Sequence, residues 1–354
     1  MLLNTISEMQ DAINRSRPRG FEIATDFVFI DHQKAHTDYL RAEIASSPFA
    51  ELLGRRIQIW TDTFENRVDD LIGAVRRRSP KRGRSLFLLD QYGWNGVSFL
   101  SIRRILKTLE KAEVFLTFAV DALIDYLNYD KAKSTMYEEI TFDEGMIREL
   151  LSIKDSEHGW RTIIQNTLYQ HLIAETGAEF YSPFFIRSGQ AHRTYWLLHL
   201  SRHREARNEM GRIHWQFHNH SLHHGRPGLE ALGFAGVKDA EQMVFGYEFD
   251  EAARSHSLNE LRDQIPRFID ASGGADIAPT LEELFGRRCN DTPVTRDIFE
   301  EVLIDLRDQG EIRIEDALGV GKPRAHSVGW TDRIILSPQR SFFGPLGLMA
   351  ANRD

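Results

Sequence analysis

The sequence predicts an α/β fold built on a mostly parallel sheet, and two observations carry this prediction. Three short apolar runs, at 27–30, 57–60 and 86–89, have the length and continuity of buried parallel strands. Stretches with apolar residues at helical spacing separate these runs, as they do in βαβ units. A further apolar run at 113–118 continues the alternation and predicts a fourth strand.

An aspartate follows each of the first three runs, namely Asp31, Asp62 and Asp90. In open α/β sheets, ligands bind just beyond the carboxyl ends of the strands. We therefore predict that Asp31 accepts the ribose hydroxyls of an adenosine cofactor and that Asp62 lies near its adenine amino group. The alternative for both residues is a local role at the start of the following helix.

The loop that begins at Asp90 carries the strongest candidates for chemistry. Asp90 is the first catalytic candidate, because a carboxylate there can position an acceptor amine or take its proton. Tyr92 is the second, since Tyr92 and Trp94 could stack on a flipped base, or could simply pack on the sheet. Gly93 lets the backbone approach a ligand closely, so Asp90 and Gly93 are also predicted to contact the cofactor.

The remainder of the chain predicts a sheet edge and a second domain. Apolar runs at 184–187 and 194–200 predict an antiparallel hairpin. Beyond a connecting segment at 214–277, helices and two strands follow in the order of a winged helix. The predicted domains are an α/β domain over 1–213, this connecting segment, and a winged-helix domain over 278–340.

The predicted wing is basic, and we predict that Lys322, Arg324 and Arg333 bind nucleic acid, because a wing lies on a phosphate backbone. The helix predicted over 295–309 argues against this interpretation. Five of its residues are acidic and would repel phosphate. Binding to nucleic acid and binding to a partner protein therefore both stay open for this domain.

Two motifs resemble the three-Cys-motif partner family. The loop at 89–97 is similar to that family's Asp-Pro-Phe-Gly loop, and 195–203 resembles its later strand and the histidine after it. The resemblance implies a Rossmann-like, class I methyltransferase-type sheet followed by a winged helix, with S-adenosylmethionine as the cofactor. It also implies a partner, a three-Cys-motif protein that resembles a radical S-adenosylmethionine enzyme, often in phage or defence settings.

The sequence departs from the family pattern in two places. Gln91 stands where the family has proline, and no strand with a Gly-x-Gly loop precedes Gly20. Since that loop wraps the methionine half of the cofactor in the family, we expect weak binding of S-adenosylmethionine.

Three functions follow from these features. The first is methyl transfer from S-adenosylmethionine to a nucleic acid, with Asp90 positioning the acceptor. The second is a non-catalytic, degenerate methyltransferase that acts as a scaffold for the three-Cys-motif partner. A weaker third is a metal-dependent nuclease that uses the histidines between 199 and 224, although we predict no metal site because a polar, histidine-rich surface explains them more simply.

Composition sets the remaining expectations. The formal net charge of −8 argues against a protein that coats nucleic acid with its whole surface. The single cysteine, Cys289, excludes an internal disulfide and is typical of a reducing cytoplasm. No apolar run approaches the roughly 20 residues that span a bilayer. We therefore expect a cytoplasmic protein with no membrane partner.

Overall fold

The computed structural model describes residues 2–79, 83–91, 93–131, 134–156, 159–187, 194–223, 228–234, 245–271, 278–324 and 326–337. The chain divides into two compact units, residues 1–80 and 81–354. Within the part of the chain that is described, no helix is both long and apolar enough to cross a membrane.

The first unit contains a pair of parallel strands. Its elements are α1 (Leu2–Arg15), β1 (Phe27–Asp31), α2 (Lys34–Ala45), β2 (Ile57–Thr61) and α3 (Phe64–Arg78). β1 and β2 pair in register from Phe27 opposite Ile57 to Asp31 opposite Thr61. Ile44 and Ile59 lie with Ile57 in the buried core of this unit, because α2 packs on one face of the pair.

The second unit contains a mixed six-stranded sheet. Its strands are β3 (Ser85–Asp90), β4 (Ala112–Phe118), β5 (Phe180–Arg187), β6 (Thr194–Ser201), β7 (His220–His223) and β8 (Phe245–Glu248). The strand order is β3-β4-β6-β5-β7-β8. β3 and β4 are parallel, and the other neighbouring strands are antiparallel. β3 therefore lies at an edge of the sheet.

The described residues of the second unit also form eight α-helices. They are α4 (Phe99–Thr108), α5 (Val120–Tyr126), α6 (Glu144–Ser156), α7 (Trp160–Thr176), α8 (Arg204–Gln216), α9 (Glu251–Ala271), α10 (Leu281–Arg288) and α11 (Arg296–Asp308). α4 packs on β4, and α7 packs on α4. α8 covers β5 and β6, where His214 stacks on Phe184.

The two faces of the sheet are covered unequally at β3. Phe87 and Leu89 are buried on one face, as are Val114 and Leu116 of β4. On the opposite face Leu86 and Leu88 are 56% and 54% exposed. The parallel pair β3–β4 is thus open on one face at its outer strand, which is unusual because parallel strands are normally covered on both faces.

Three helices and a hairpin form the C-terminal part of the second unit. α9, α10 and α11 precede the antiparallel strands β9 (Ile312–Glu315) and β10 (Arg333–Leu336). A further bridge joins Thr280 to Arg333. Leu284, Phe299 and Val302 lie in one buried core with residues of α9 and the hairpin. From α10 onward, this is the element order that the sequence predicts for a winged helix.

The observed architecture is mixed α/β, and it differs from the single, mostly parallel sheet that the sequence predicts. All four predicted strands form, but β1–β2 and β3–β4 are parallel pairs of separate sheets. The predicted hairpin of β5 and β6 is antiparallel and lies inside the second sheet. Apolar runs indicate which segments are buried strands, but they do not indicate which strands pair.

Candidate functional site

Asp31 and Asp62 lie side by side at the carboxyl ends of β1 and β2. The backbone N–H of Asp62 donates to the carbonyl of Asp31 across 3.1 Å, immediately beyond the last paired residues. The two side chains are 39% and 25% exposed. The sequence prediction that these two aspartates follow neighbouring parallel strands agrees with the structure of the first unit.

The Asp31 carboxylate already accepts local hydrogen bonds. Its Oδ1 accepts the backbone N–H of Gln33 at 2.7 Å, and its Oδ2 lies 2.9 Å from Nδ1 of His36. The backbone hydrogen bond from Gln33 is the main reason that the pKa of Asp31 falls below its usual value, with a smaller contribution from His36. Asp31 is therefore held ionised at the start of α2.

The Asp62 carboxylate is bound in the same way at the start of α3. Asn66 donates to Oδ1 at 2.8 Å, as does the backbone N–H of Thr63, and Arg67 pairs with Oδ2 at 2.9 Å. The Asn66 hydrogen bond is the largest of the effects that lower the pKa of Asp62. Both aspartates thus have a structural role, and each ionised carboxylate keeps lone pairs for a further donor.

Asp90 lies at the carboxyl end of β3 in the second unit and is exposed. The Thr117 hydroxyl donates to Asp90 Oδ1 at 2.8 Å and accepts the backbone N–H of Gln91 at 3.0 Å. Oε1 of Gln91 in turn accepts the N–H of Gly96 at 2.8 Å. The neighbouring strand and the loop therefore fix one carboxylate oxygen of Asp90.

The same loop contains three further residues singled out in the sequence: Trp94, Gly93 and Tyr92. Trp94 is buried and lies 5.3 Å from the ring of Tyr126 and 5.5 Å from that of Tyr137. Its ring is therefore part of the core, not a stacking surface for a base. A Cβ on Gly93 would meet only Asn95, at an ordinary 3.7 Å, so packing does not require glycine there. Tyr92 lies outside the described residues.

Three of the described histidines between 199 and 224 are buried, namely His199, His214 and His223. His199 is buried and bonds Glu113 at 2.9 Å, and His223 accepts the N–H of Gly233. Burial is the main reason that the pKa of His214 falls to about 4. No group of three or more potential metal ligands is found in the described residues. These contacts give no support to a metal-dependent nuclease.

The wing presents some of its basic residues to solvent and holds another in an ion pair. Lys322 Nζ lies 2.6 Å from Oδ2 of Asp332, whose side chain is only 6% exposed. Arg324 and Arg333 are exposed. Sequence reasoning missed Arg313, which is exposed on β9 and shares one face of the hairpin with Arg333, because Arg313 and Ile335 are opposite each other.

Each of the five acidic residues of α11 has a partner. Asp297 pairs with Arg212 at 3.1 Å and Asp305 with Arg262 at 2.7 Å, and Glu301 pairs with Arg254. The other two complete the set: Glu300 accepts the N–H of Val328, and Asp308 pairs with Arg307. We call the three pairs of Asp297, Glu301 and Asp305 with α8 and α9 the α11 ladder. Four of the five carboxylates are therefore paired with arginines, and the helix does not present a bare negative surface.

Trp330 anchors the base of the wing. Two guanidinium groups lie over its ring, with Cζ of Arg204 at 4.6 Å and Cζ of Arg296 at 4.3 Å from the ring centre. Arg296 also donates to the carbonyl of Val328 at 3.0 Å. Because Arg204 belongs to α8 and Arg296 to α11, the wing is joined to both helices.

A buried arginine is the least predictable feature of this unit. Arg207 of α8 is fully buried and donates to the carbonyl of Thr292, next to the start of α11. Burial lowers its pKa, although Cys289 and Asp291 oppose that shift. A Cβ on Gly211 would lie 2.8 Å from Arg207 Nη1, so glycine leaves room for the guanidinium. An arginine in a helix of mixed polarity gives no sequence signal of burial.

Comparison with known families finds a match for the C-terminal part of the second unit. A family model described as a GMT-like wHTH domain, that is, a winged helix-turn-helix domain, matches residues 233–319. The chain contains a winged-helix domain. This match spans about a quarter of the chain and includes α9, which lies in the predicted connecting segment. Comparison with curated proteins and with solved structures found no match.

Proposed function

We propose that this protein associates with nucleic acid through its wing, and not through α11. The observation that carries this proposal is the exposure of Arg313, Arg324 and Arg333 on a winged-helix domain whose Lys322 is already paired. Contacts from arginine to phosphate oxygens fix the position of a protein on a duplex without reading its sequence. We therefore expect binding that depends strongly on salt and weakly on sequence.

The α11 ladder argues against contacts between α11 and the bases of a duplex. A helix that reads the major groove presents donors and acceptors to base edges. The outward carboxylates of α11 would have to leave their arginines to do so, and they would then face phosphate. Paired as they are, they neither attract nor strongly repel a duplex, so the wing arginines decide the affinity.

The test is duplex binding by fluorescence anisotropy with the full chain. Replacing Arg313, Arg324 and Arg333 together by alanine should weaken binding at least about tenfold, for every duplex sequence tested, since three phosphate contacts are lost. Arg287→Ala is the matched control, because Arg287 is an exposed arginine of the same domain that lies on α10. Equal effects of the triple variant and the control would contradict the proposal.

We further propose a methyltransferase-type role for the strand ends, which rests on the resemblance to the three-Cys-motif partner family. Bound S-adenosylmethionine would supply the methyl group. Asp31 and Asp62 fit hydroxyl and amino donors of such a cofactor, because both are ionised and keep free lone pairs. Asp90 would orient the acceptor and take its proton through the oxygen that Thr117 does not hold.

Calorimetry with S-adenosylmethionine and a methylation assay on nucleic acid test this second proposal. Asp90→Asn should abolish transfer, because an amide cannot take the proton of the acceptor although it still accepts the Thr117 hydrogen bond. Asp31→Ala should weaken cofactor binding. Absence of binding in the unaltered chain would contradict a catalytic role.

A non-catalytic scaffold is the second candidate, and one observation favours it. Each strand-end aspartate of the first unit already accepts local hydrogen bonds at the start of a helix, which gives it a structural role without a cofactor. In this alternative the chain would bind a three-Cys-motif protein, the partner that the resemblance implies. Co-elution of the two purified proteins, without methyl transfer in the same sample, would favour the scaffold. Methyl transfer by this chain alone would exclude it.

A further inference from the structure

The exposed face of β3 carries a self-complementary pattern. Leu86, Leu88 and Asp90 alternate along β3 with the buried Phe87 and Leu89, so their side chains lie on the same face of the sheet, and Arg84 continues this alternation one residue before the strand begins. All four are exposed, and the two leucines are 56% and 54% accessible. The order along the strand is a positive charge, two leucines and a negative charge. A copy of the strand that runs in the opposite direction therefore places opposite charges next to each other and leucine next to leucine.

The outer edge of the same strand has no partner within its own sheet. In the described part of the six-stranded sheet of the second unit, β3 pairs only with β4 and lies at the end of the strand order. An open edge exposes a row of backbone donors and acceptors, and proteins usually blunt it with charge, proline or a covering segment. Here the centre of the edge strand carries two exposed leucines instead. The backbone groups of the edge could therefore pair with another strand, and the exposed leucines could be buried by it.

We propose that β3 pairs antiparallel with β3 of a second copy of this chain, across a two-fold axis that passes beside Phe87. This register places Leu86 opposite Leu88 of the second copy. It also places Arg84 opposite Asp90 of the second copy, and each contact occurs twice. A reversed copy of the same strand satisfies both the charges and the leucines, which is what an isologous interface requires.

The proposed pairing brings a cation to the candidate site. Thr117 holds Oδ1 of Asp90, so Oδ2 is available to the guanidinium of Arg84 from the second copy, and in the dimer this ion pair would compete with the proton transfer proposed for the same oxygen. The Asp90 site would then contain residues of both copies. This inference does not depend on the proposed function, because pairing requires only the edge and the pattern on its open face.

The oligomeric state of the full chain tests the interface. The unaltered protein should sediment as a dimer, and Leu88→Lys should raise the dimer dissociation constant at least about tenfold, since it places two lysines among the leucines. Leu100→Lys is the matched control, because Leu100 is 48% exposed on α4 and is not part of β3. A monomeric unaltered protein, or equal effects of the two lysine variants, would overturn the proposal.

A disulfide between two different variants tests the register. Opposite residues of antiparallel strands have Cα atoms about 4.5–5.5 Å apart, which suits a disulfide. Oxidising a mixture of Leu86→Cys and Leu88→Cys proteins should give a covalent dimer containing one chain of each, and neither variant alone should do so. Cys289 is buried and does not compete. Equal cross-linking by a single variant, or none in the mixture, would contradict the register.

Charge reversal gives a third, independent readout. Arg84→Asp and Asp90→Arg should each weaken the dimer, because each places like charges opposite one another. The protein that carries both changes should regain the dimer, since the attraction is restored with reversed sign. A double variant as weak as the single ones would exclude the Arg84–Asp90 contact.

Discussion

The strand-end aspartates of the first unit and the acidic residues of α11 all have partners. The partners of the aspartates are near in sequence, whereas those of the α11 ladder are remote. Asp31 binds Gln33 and His36, and Asp62 binds Thr63, Asn66 and Arg67; all lie within five residues.

The acids of the α11 ladder have remote partners. Asp305 pairs with Arg262, which lies 43 positions away, and Asp297 pairs with Arg212, which lies 85 positions away. The role of a carboxylate at the start of a helix can therefore be predicted from its neighbours. The charge of a helix surface cannot, because cations from other helices balance it after folding.

The largest expected effect concerns His214, a buried group whose surroundings come from remote segments. It is buried on α8, and Phe184 and Phe249 stack against its ring. Burial, and secondarily the charge of Arg207, lowers its pKa to about 4, whereas the unfolded chain binds this proton near pH 6.5. Unfolding takes up a proton between these values, so the free energy of unfolding should fall by about 3 kcal/mol from pH 7 to pH 4.

Chemical denaturation at a series of pH values measures this effect. His214→Phe should keep the stacking and flatten the dependence between pH 6.5 and 4, whereas His256→Gln, at an exposed position of α9, should not. If both variants keep the slope of the unaltered protein, His214 is not the group responsible.

A second expected effect separates Lys322 from the other basic residues of the wing. Lys322→Ala leaves the nearly buried Asp332 carboxylate without its cation and should lower the free energy of unfolding by about 2 kcal/mol. Arg324→Ala removes an exposed side chain and should change it by less than about 0.5 kcal/mol. Urea unfolding of the two variants, followed by circular dichroism, should separate them. Equal stabilities would mean that the Lys322–Asp332 pair contributes nothing to the wing.

The smallest expected effect is that of Asp31, whose partners are local and whose side chain is partly exposed. Asp31→Ala should lower the free energy of unfolding by about 0.5 kcal/mol, because the backbone hydrogen bond from Gln33 and the contact with His36 that it removes are both exposed to solvent. Asp31→Asn keeps an oxygen for the Gln33 N–H and should be neutral in thermal unfolding. A loss well above 1 kcal/mol for the asparagine variant would show that the ionised carboxylate matters more than its local hydrogen bond.

Much of the fold follows from the sequence because local patterns dominate it. The apolar runs predict β1 to β4, and the spacing of apolar residues such as Phe299, Val302 and Leu306 predicts α11. α9 was not predicted, since Pro266 lies inside it and a proline normally interrupts a helix. The pairing of the strands was not predicted either, because it depends on contacts between remote segments.

The candidate site was predictable to a similar extent. The positions of Asp31, Asp62 and Asp90 at the ends of strands follow from the pattern of the runs that precede them. The pairing of Lys322 with Asp332 and the burial of Trp94 do not, because each results from tertiary packing. Whether an exposed charge is free or balanced is decided only when distant helices come together.

The salt dependence of duplex binding tests the central claim most directly, namely that the wing contacts phosphate while the α11 ladder does not. The logarithm of the binding constant decreases linearly with the logarithm of the salt concentration, and the magnitude of this slope falls by about 0.9 for each phosphate contact that is lost. The alanine triple variant of Arg313, Arg324 and Arg333 should therefore bind with a slope about 2 to 3 shallower than that of the unaltered chain. A double variant with Glu301→Gln and Asp305→Asn should have a slope within about 1 unit of that of the unaltered chain. A triple variant that keeps the original slope would contradict the claim.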